Sequence, residues 1–354
     1  MVLRSLGALL PRLLTSVVIG LVVGEALTRI FGIVDIVNKT DRNLYETTEI
    51  DNLPYRLRPN VDVVQGRVRV GVNAHGLRGP ALRNKGARDA SRILVLGDSV
   101  VFGTPVENDQ TFPARLEHFL AQKHGWAGQV LNAGVPGYNT ATESAYLKEF
   151  GDDLSPDQIL LGVCFNDFRD APRLNSFGVM TQRADPPGWL EDHSEFFLLL
   201  KWGWKYARGE HLFQRKRPAG ERGRRGFEAL APMVKRDQRA FYANPKGKED
   251  WMRVRRALVE LRSWAEEKEI PFTVVLFPQR FEFDSPPFRL PAIAWRRLCE
   301  SLGIEVIDLW PVFQRGIRRG RSDLFVDAQH PTAAGLNLAA SFVADQLSRE
   351  LVDE

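Results

Sequence analysis

Arg92-Ile93-Leu94-Val95-Leu96-Gly97-Asp98-Ser99 is the stretch on which the fold of this chain turns. Four of the five residues before Gly97 are apolar, and Ile93 and Val95 are β-branched. That is the composition of a parallel strand buried on both faces. Gly97 lets the chain turn sharply where the strand stops. Open α/β sheets hold their ligands at the carboxyl ends of strands. The hydroxyl of Ser99 therefore stands where a nucleophile would be both rigidly held and exposed.

Outward from this strand the pattern becomes β-α-β. Strands are predicted at Ile93–Leu96, Val130–Asn132, Gln158–Val163, Phe272–Phe277 and Glu305–Ile307. Helices fit Thr111–Lys123, Thr140–Phe150, Asp250–Lys268, Pro291–Leu302 and Ala333–Glu350. Alternation on this scale implies a parallel sheet with helices on both faces. An insertion at about 172–248 interrupts it. Glu195 to Trp204 reads as a helix with a large apolar face, and residues 201–225 then carry nine Lys or Arg against Glu210 and Glu221. Three readings stay open for this segment: a lid on the pocket, an element lying on an anionic membrane surface, or a solvated insertion.

The chain has 354 residues, 44% of them hydrophobic, with a formal net charge of +4. The basic excess is local and calls for no nucleic-acid partner. The two cysteines, Cys164 on a buried strand end and Cys299 on a helix, suggest no bridge. Residues 36–90 are polar and turn-rich, with Arg67–Val72 alternating as a half-exposed strand before the turn Asn73-Ala74-His75-Gly76. They read as a small β-containing lead-in. At the N-terminus, Arg4 and Arg12 flank an apolar run that is uncharged from Leu13 to Gly24. A signal anchor, a cleaved signal peptide and a cytosolic amphipathic helix compete for this segment. Gly24-Glu25-Ala26 is a poor cleavage site, and Glu25–Phe31 keeps the helical period, so the anchor leads. The arginines ahead of the run favour a chain whose bulk lies outside.

Acyl transfer by a serine needs a base, a carboxylate that orients the base, and donors for the oxyanion. Asp327-Ala328-Gln329-His330-Pro331-Thr332 supplies an Asp and a His three apart on a loop leading into the last helix. The order Ser, Asp, His matches α/β hydrolases, but no Gly-x-Ser-x-Gly elbow surrounds Ser99. Two more loops close strands: Asn132-Ala133-Gly134-Val135-Pro136-Gly137, whose glycines allow close backbone approach, and Gly162-Val163-Cys164-Phe165-Asn166-Asp167, which offers the Asn166 amide. Asp98 and Asp167 read as residues that hold their own turns by accepting backbone donors. No cofactor and no metal site is indicated.

Ser99 in G-D-S, Gly137 in N-A-G-V-P-G, Asn166 in N-D and His330 in D-x-x-H resemble the four sequence blocks of the SGNH, or GDSL-type, hydrolases. The resemblance covers about Ser91–Asp170 and Pro271–Leu351. It implies a flavodoxin-like three-layer α/β/α sandwich on a five-stranded parallel sheet. By matched position, Ser99 is the nucleophile, His330 the base and Asp327 its orienter. The resemblance also implies an oxyanion hole formed by Ser99 N–H, Gly137 N–H and the Asn166 side chain. The third block departs from the pattern in reading V-C-F-N-D, where a small residue often precedes the Asn. Leu57-Arg58-Pro59-Asn60 and Asn73–Gly79 also resemble a bacterial, membrane-anchored subgroup linked with surface polysaccharide modification.

These readings divide the chain into a signal anchor or signal peptide (1–35), the lead-in (36–90) and a hydrolase-like domain (91–354) with its insertion. The expected function is a serine esterase or acyltransferase acting on O-acyl, foremost O-acetyl, groups of envelope or exported polysaccharide. A membrane-associated lipase or lysophospholipase and a catalytically idle glycan-binding scaffold remain as alternatives. The partners implied are an acylated carbohydrate or lipid and the membrane. The expected location is the inner membrane, single-pass with an extracytoplasmic catalytic domain, or secreted after signal cleavage.

Overall fold

The structure is a computed structural model that describes residues 2–34, 42–65, 68–84, 91–164, 167, 171–175, 180, 188–207, 245–283 and 289–351. The chain forms two compact units. One comprises Met1–Arg42 with Arg173–Lys216, the other Asn43–Pro172 with Arg217–Glu354.

The larger unit is built on five parallel strands: β5 (Arg92–Gly97), β6 (Gln129–Gly134), β7 (Gln158–Val163), β8 (Phe272–Leu276) and β9 (Glu305–Asp308). Their spatial order is β6-β5-β7-β8-β9. That is the doubly wound flavodoxin-like order, which reverses direction beside β5. The sequence-predicted strands match these five in place and order. Every residue of β5, β6 and β7 is buried, which is why β5 and β7 read as near-continuous apolar runs rather than alternating ones.

Helices cover both faces. Ile93 and Val95 join a core with α3 (Phe112–His124), α9 (Trp310–Arg318) and α10 (Ala333–Leu351). Ala339, Ala340 and Ala344 of α10 are fully buried in that core, where small side chains let the helix lie close. The other face carries α4 (Thr140–Leu154), α7 (Pro245–Glu267) and α8 (Leu290–Ser301). Trp251 of α7 meets Trp295 of α8 edge-on, with ring centroids 5.6 Å apart. The α9 helix was not expected from sequence.

The lead-in is two β-hairpins: β1 (Tyr45–Ile50) with β2 (Leu53–Leu57), and β3 (Val61–Gln65) with β4 (Val68–Val72). Only β4 was anticipated. Arg78, just past β4, bridges to Asn132 and so ties this region to the edge strand β6.

In the smaller unit α1 (Val2–Ile30) packs on α6 (Glu195–Ala207), which follows the short α5 (Trp189–His193). The apolar helix predicted at 195–204 is α6. Within α1, Arg12–Ile30 has mean hydropathy 1.8 and is long and apolar enough to cross a membrane. Most of the basic run after α6 lies outside the described residues.

Candidate active site

Ser99 opens α2 (Ser99–Phe102), a single helical turn set directly on the end of β5. Asp98 caps it, its Oδ1 accepting from Val100 N at 2.8 Å. Gly103, with φ of 88°, ends it in the left-handed region. The turn can sit this low because three glycines lie beneath it in register: Gly97 is paired with Gly134 on one side and Gly162 on the other. A Cβ on Gly97 would fall 2.3 Å from Val101 Cγ2, one on Gly162 2.4 Å from the same atom, and one on Gly134 2.2 Å from Phe102 N. Gly134 was read as an opening for a ligand; its neighbour is instead the backbone of the helix that carries Ser99.

The far end of α2 is held by Arg78, which is 3% exposed. Its guanidinium donates to Phe102 O at 2.8 Å, Gly103 O at 3.0 Å and Val106 O at 2.5 Å, and its Nε to Asn108 Oδ1 at 2.9 Å. A cation at a helix C-terminus satisfies the orphan carbonyls and complements the helix dipole. Burial lowers the Arg78 pKa to about 10, a value that still leaves it charged.

The structure brings Ser99, His330 and Asp327 together. Ser99 Oγ lies 3.0 Å from His330 Nε2, and His330 Nδ1 lies 2.9 Å from Asp327 Oδ2. A carboxylate only accepts, so Nδ1 carries the proton and Nε2 presents its lone pair to the hydroxyl. Asp327 Oδ1 accepts from the backbone N–H of Gln329 at 2.7 Å and of His330 at 2.8 Å, which is why the two residues must stand three apart. The loop is closed by Val326 N to His330 O and Thr332 N to Leu324 O, and Thr332 Oγ1 then caps α10 by accepting from Gly335 N at 3.1 Å. Arg280 N donates to Ala328 O, fastening the loop to the segment after β8.

Burial pushes the His330 imidazole down, but the bond to Asp327, that residue's charge and the charge of Asp98 together hold it above its ordinary pKa. Burial likewise raises the Asp327 carboxyl. Its bond to and charge contact with His330, and the two backbone donors, outweigh that and leave it below its usual value. The Asp327 side chain is still 54% exposed, so one edge of the pair faces water.

Gly137 stands on a loop between β6 and α4 with φ of 85°. A Cβ there would come 2.7 Å from Tyr55 Oη and 2.8 Å from Pro172 Cγ. The first hairpin buttresses this loop: Tyr55 Oη donates to Pro136 O at 2.7 Å, and Tyr138 Oη donates to Tyr55 O at 2.5 Å. Neither Ser99 N–H nor Gly137 N–H has a partner among the described residues. Asn166, the third expected donor, lies outside them.

Asp167 holds its loop as expected, accepting from Cys164 N through Oδ2. Cys164 Sγ donates to Asp98 Oδ2 at 3.3 Å. Glu143, from the first turn of α4, completes a buried acidic group that sequence reasoning missed, and neither of its carboxyl oxygens has a hydrogen-bond partner among the described residues. Burial pushes Glu143 well above the usual range, and the charges of Asp167 and Asp98 add to this. Asp167 is raised by burial and by Asp98. Arg78, Tyr55 and Tyr138 were missed too. The one signal for Arg78 was its place in the stretch 73–79, already singled out. Cys164 and Cys299 are free thiols, both buried. Among the described residues no three His, Cys, Asp or Glu side chains cluster in a way suited to a metal ion.

A hydroxyl, an imidazole and a carboxylate in a line, at the carboxyl edge of a parallel sheet, can pass a proton from oxygen to nitrogen as the oxygen attacks an electrophile. The chain is similar in structure to a member of the lipolytic protein G-D-S-L family from Veillonella parvula DSM 2008, with 14% identity, a TM-score of 0.40, and coverage of 73% of this chain and 98% of that one. It is similar to the psychrotrophic esterase EstA from Pseudoalteromonas sp., with 12% identity, a TM-score of 0.39, and 74% and 98% covered. A two-domain esterase active on acetylated mannans shares 13% identity at a TM-score of 0.37, over 73% of this chain and 49% of that one. No curated protein sequence matches. The profile of the GDSL-like lipase/acylhydrolase family matches residues 95–338, more than half of the chain, from the strand beneath Ser99 to the helix after His330. The chain thus belongs to the GDSL-like lipase/acylhydrolase family of ester hydrolases.

Proposed function

We propose that this protein is a membrane-anchored serine hydrolase that removes or transfers O-acyl groups, with Ser99 as nucleophile, His330 as general base and Asp327 as the residue that orients it. The observation carrying this reading is the pair of contacts from Ser99 Oγ to His330 Nε2 at 3.0 Å and from His330 Nδ1 to Asp327 Oδ2 at 2.9 Å. His330 takes the hydroxyl proton as Oγ bonds to the ester carbonyl carbon. The oxyanion is received by Ser99 N–H, Gly137 N–H and the Asn166 amide, each donor worth about 10²-fold or more in rate. The imidazolium returns its proton to the departing alcohol as the acyl C–O bond breaks. Water, deprotonated by His330, then attacks the acyl-Ser99 carbonyl; the acyl–Oγ bond breaks, the carboxylic acid leaves, and the imidazolium returns its proton to Ser99 Oγ. If a sugar hydroxyl replaces that water, the same steps run as an acyltransferase.

The preferred substrate is an O-acetylated carbohydrate of the cell envelope or an exported polysaccharide. This rests on the apolar α1, read as a single-pass anchor with the catalytic unit outside, and on the lead-in sequences Leu57–Asn60 and Asn73–Gly79. On this reading 1–35 anchors, 36–90 braces the Gly137 loop, and 91–354 carries the chemistry. A panel of short and long acyl esters and acetylated sugars, run on wild type and Ser99→Ala, tests it. Acetyl release that disappears in Ser99→Ala supports the proposal. Long-chain preference would favour a lipase, and turnover that survives in Ser99→Ala overturns the assignment.

A further inference from the structure

The segment 188–207 plays no part in the chemistry above, yet it is fastened to α1 with unusual care. Glu25, near the end of α1, reaches the N-terminus of α6. Its carboxylate accepts from Ser194 Oγ at 2.7 Å, Glu195 N at 3.1 Å and Phe196 N at 3.0 Å. An anion there satisfies orphan N–H groups and meets the positive end of the helix dipole. Arg29, one turn along α1, bonds Glu25 through Nε at 2.6 Å and reaches His193 O at 3.1 Å, closing off the end of α5. Gly24 lets the helices approach: a Cβ there would sit 3.0 Å from the Phe196 ring. One level of α1, residues 24–29, thus grips both α5 and α6.

What this grip displays is apolar. Trp189 is 71% exposed, Trp204 62%, Leu200 51% and Leu190 47%. Leu200 and Trp204, four apart, share one face of α6. In the same unit Leu27 and Ile30 of α1, and Phe31 just past it, are exposed too, at the end of the apolar run that is long enough to cross a membrane. Exposed apolar surface on that scale marks an interaction site. Its chemistry matches a bilayer boundary: tryptophans beside lysines, with the nine Lys or Arg of residues 201–225 in sequence with them.

We propose that α5 and α6 form a second membrane contact, an interfacial element clamped to the end of α1, whose Trp189, Leu190, Leu200 and Trp204 enter the headgroup region of an anionic bilayer. The proposal rests on reading α1 as membrane-crossing. The test uses the full chain reconstituted in phosphatidylcholine–phosphatidylglycerol vesicles, with an environment-sensitive thiol label introduced by Trp204→Cys, Val17→Cys or His75→Cys in separate proteins. Both natural cysteines are buried, and unsubstituted protein sets the background. Aqueous iodide should quench the label at 204 several-fold less than at 75, and a lipid-borne quencher should do the reverse. Replacing Glu25→Ala should return the label at 204 to water while the label at 17 stays shielded. Omitting phosphatidylglycerol should weaken shielding at 204 alone; equal shielding would overturn the anionic part. A label at 204 as accessible as one at 75, with 17 still shielded, overturns the second contact and leaves the anchor standing. Water access at 17 as well overturns the anchor and the proposal together.

Discussion

Gly134→Ala isolates the geometric basis of the site, because it adds one methyl group where no chemistry takes place. The new Cβ would lie 2.2 Å from Phe102 N and 2.7 Å from the carbonyl carbon of Val101. Both are backbone atoms of the turn that begins at Ser99, so no side chain can rotate away. Restoring ordinary contact moves the turn or the strand by roughly 1 Å. The strand resists: Gly134 is in register with Gly97 and its N–H is bonded to Asn132 Oδ1 at 3.0 Å. The turn therefore gives, and it carries Ser99 away from His330. Overpacking of this kind costs about 1–3 kcal/mol of stability, and a misplacement of about 1 Å costs about 10²-fold in kcat. The assay is hydrolysis of a short acyl ester, normalised to the folded fraction from thermal melts. Gly188→Ala, where nothing lies within 4 Å of the added Cβ, is the control and should behave as wild type. Wild-type kcat per folded molecule in Gly134→Ala would refute the claim that the glycine row positions the serine.

The acid limb of the kcat/KM profile should lie above the ordinary histidine pKa, since His330 must be neutral to accept the Ser99 proton and Asp327 holds it protonated to higher pH. Asp327→Asn should shift that limb down, because burial is then opposed only by the charge of Asp98, and should lower kcat by about 10²–10⁴-fold; an unmoved limb would contradict the pairing. The same linkage gives stability its sign. The His330 contribution is present below its unfolded pKa and is lost as pH rises through the raised folded value, whereas that of Asp327 is lost as pH falls through its lowered one. Glu143 is raised by burial, so the folded protein binds a proton that the unfolded chain releases, and stability falls as pH rises above the ordinary carboxyl range. Glu143→Gln should raise Tm at pH 8 and flatten that decline; a lower Tm at pH 8 would show the carboxylate to be ionised and needed. Arg78→Lys cannot reach the carbonyls of Phe102, Gly103 and Val106 at once and should cost about 2–4 kcal/mol in urea unfolding, with a fall in kcat per folded molecule. An unchanged midpoint would remove Arg78 from the account.

The parts of the fold that were legible in sequence are those whose burial is uniform. β5 and β7 are covered on both faces, so Ile93–Leu96 and Ile159–Leu161 are unbroken apolar runs between turn residues, and alternation with helices implies parallel strands joined by right-handed crossovers. The Asp327–His330 pair was legible because a spacing of three is what lets one carboxylate hold both the backbone and the ring of the histidine. The first hairpin was not. Tyr45–Ile50 carries two Thr and two Glu; the packing of the hairpin lies in Tyr45, edge-on to Tyr55, and in Tyr55, whose hydroxyl bonds Pro136 O, remote in sequence. Nor was α9, although Pro311 is well suited to a first helical turn. Arg78 and Glu143 are charged residues buried inside the fold, which composition alone assigns to the surface. The glycine row is a register between three strands, a relation that no single stretch of sequence contains.

The most direct measurement is reaction of the full-length protein with a fluorophosphonate, followed by peptide mass spectrometry. One covalent adduct is expected, on Ser99, absent in Ser99→Ala and formed far more slowly in His330→Ala. Failure to label Ser99 in folded protein, or ester turnover that persists in Ser99→Ala, would contradict the account.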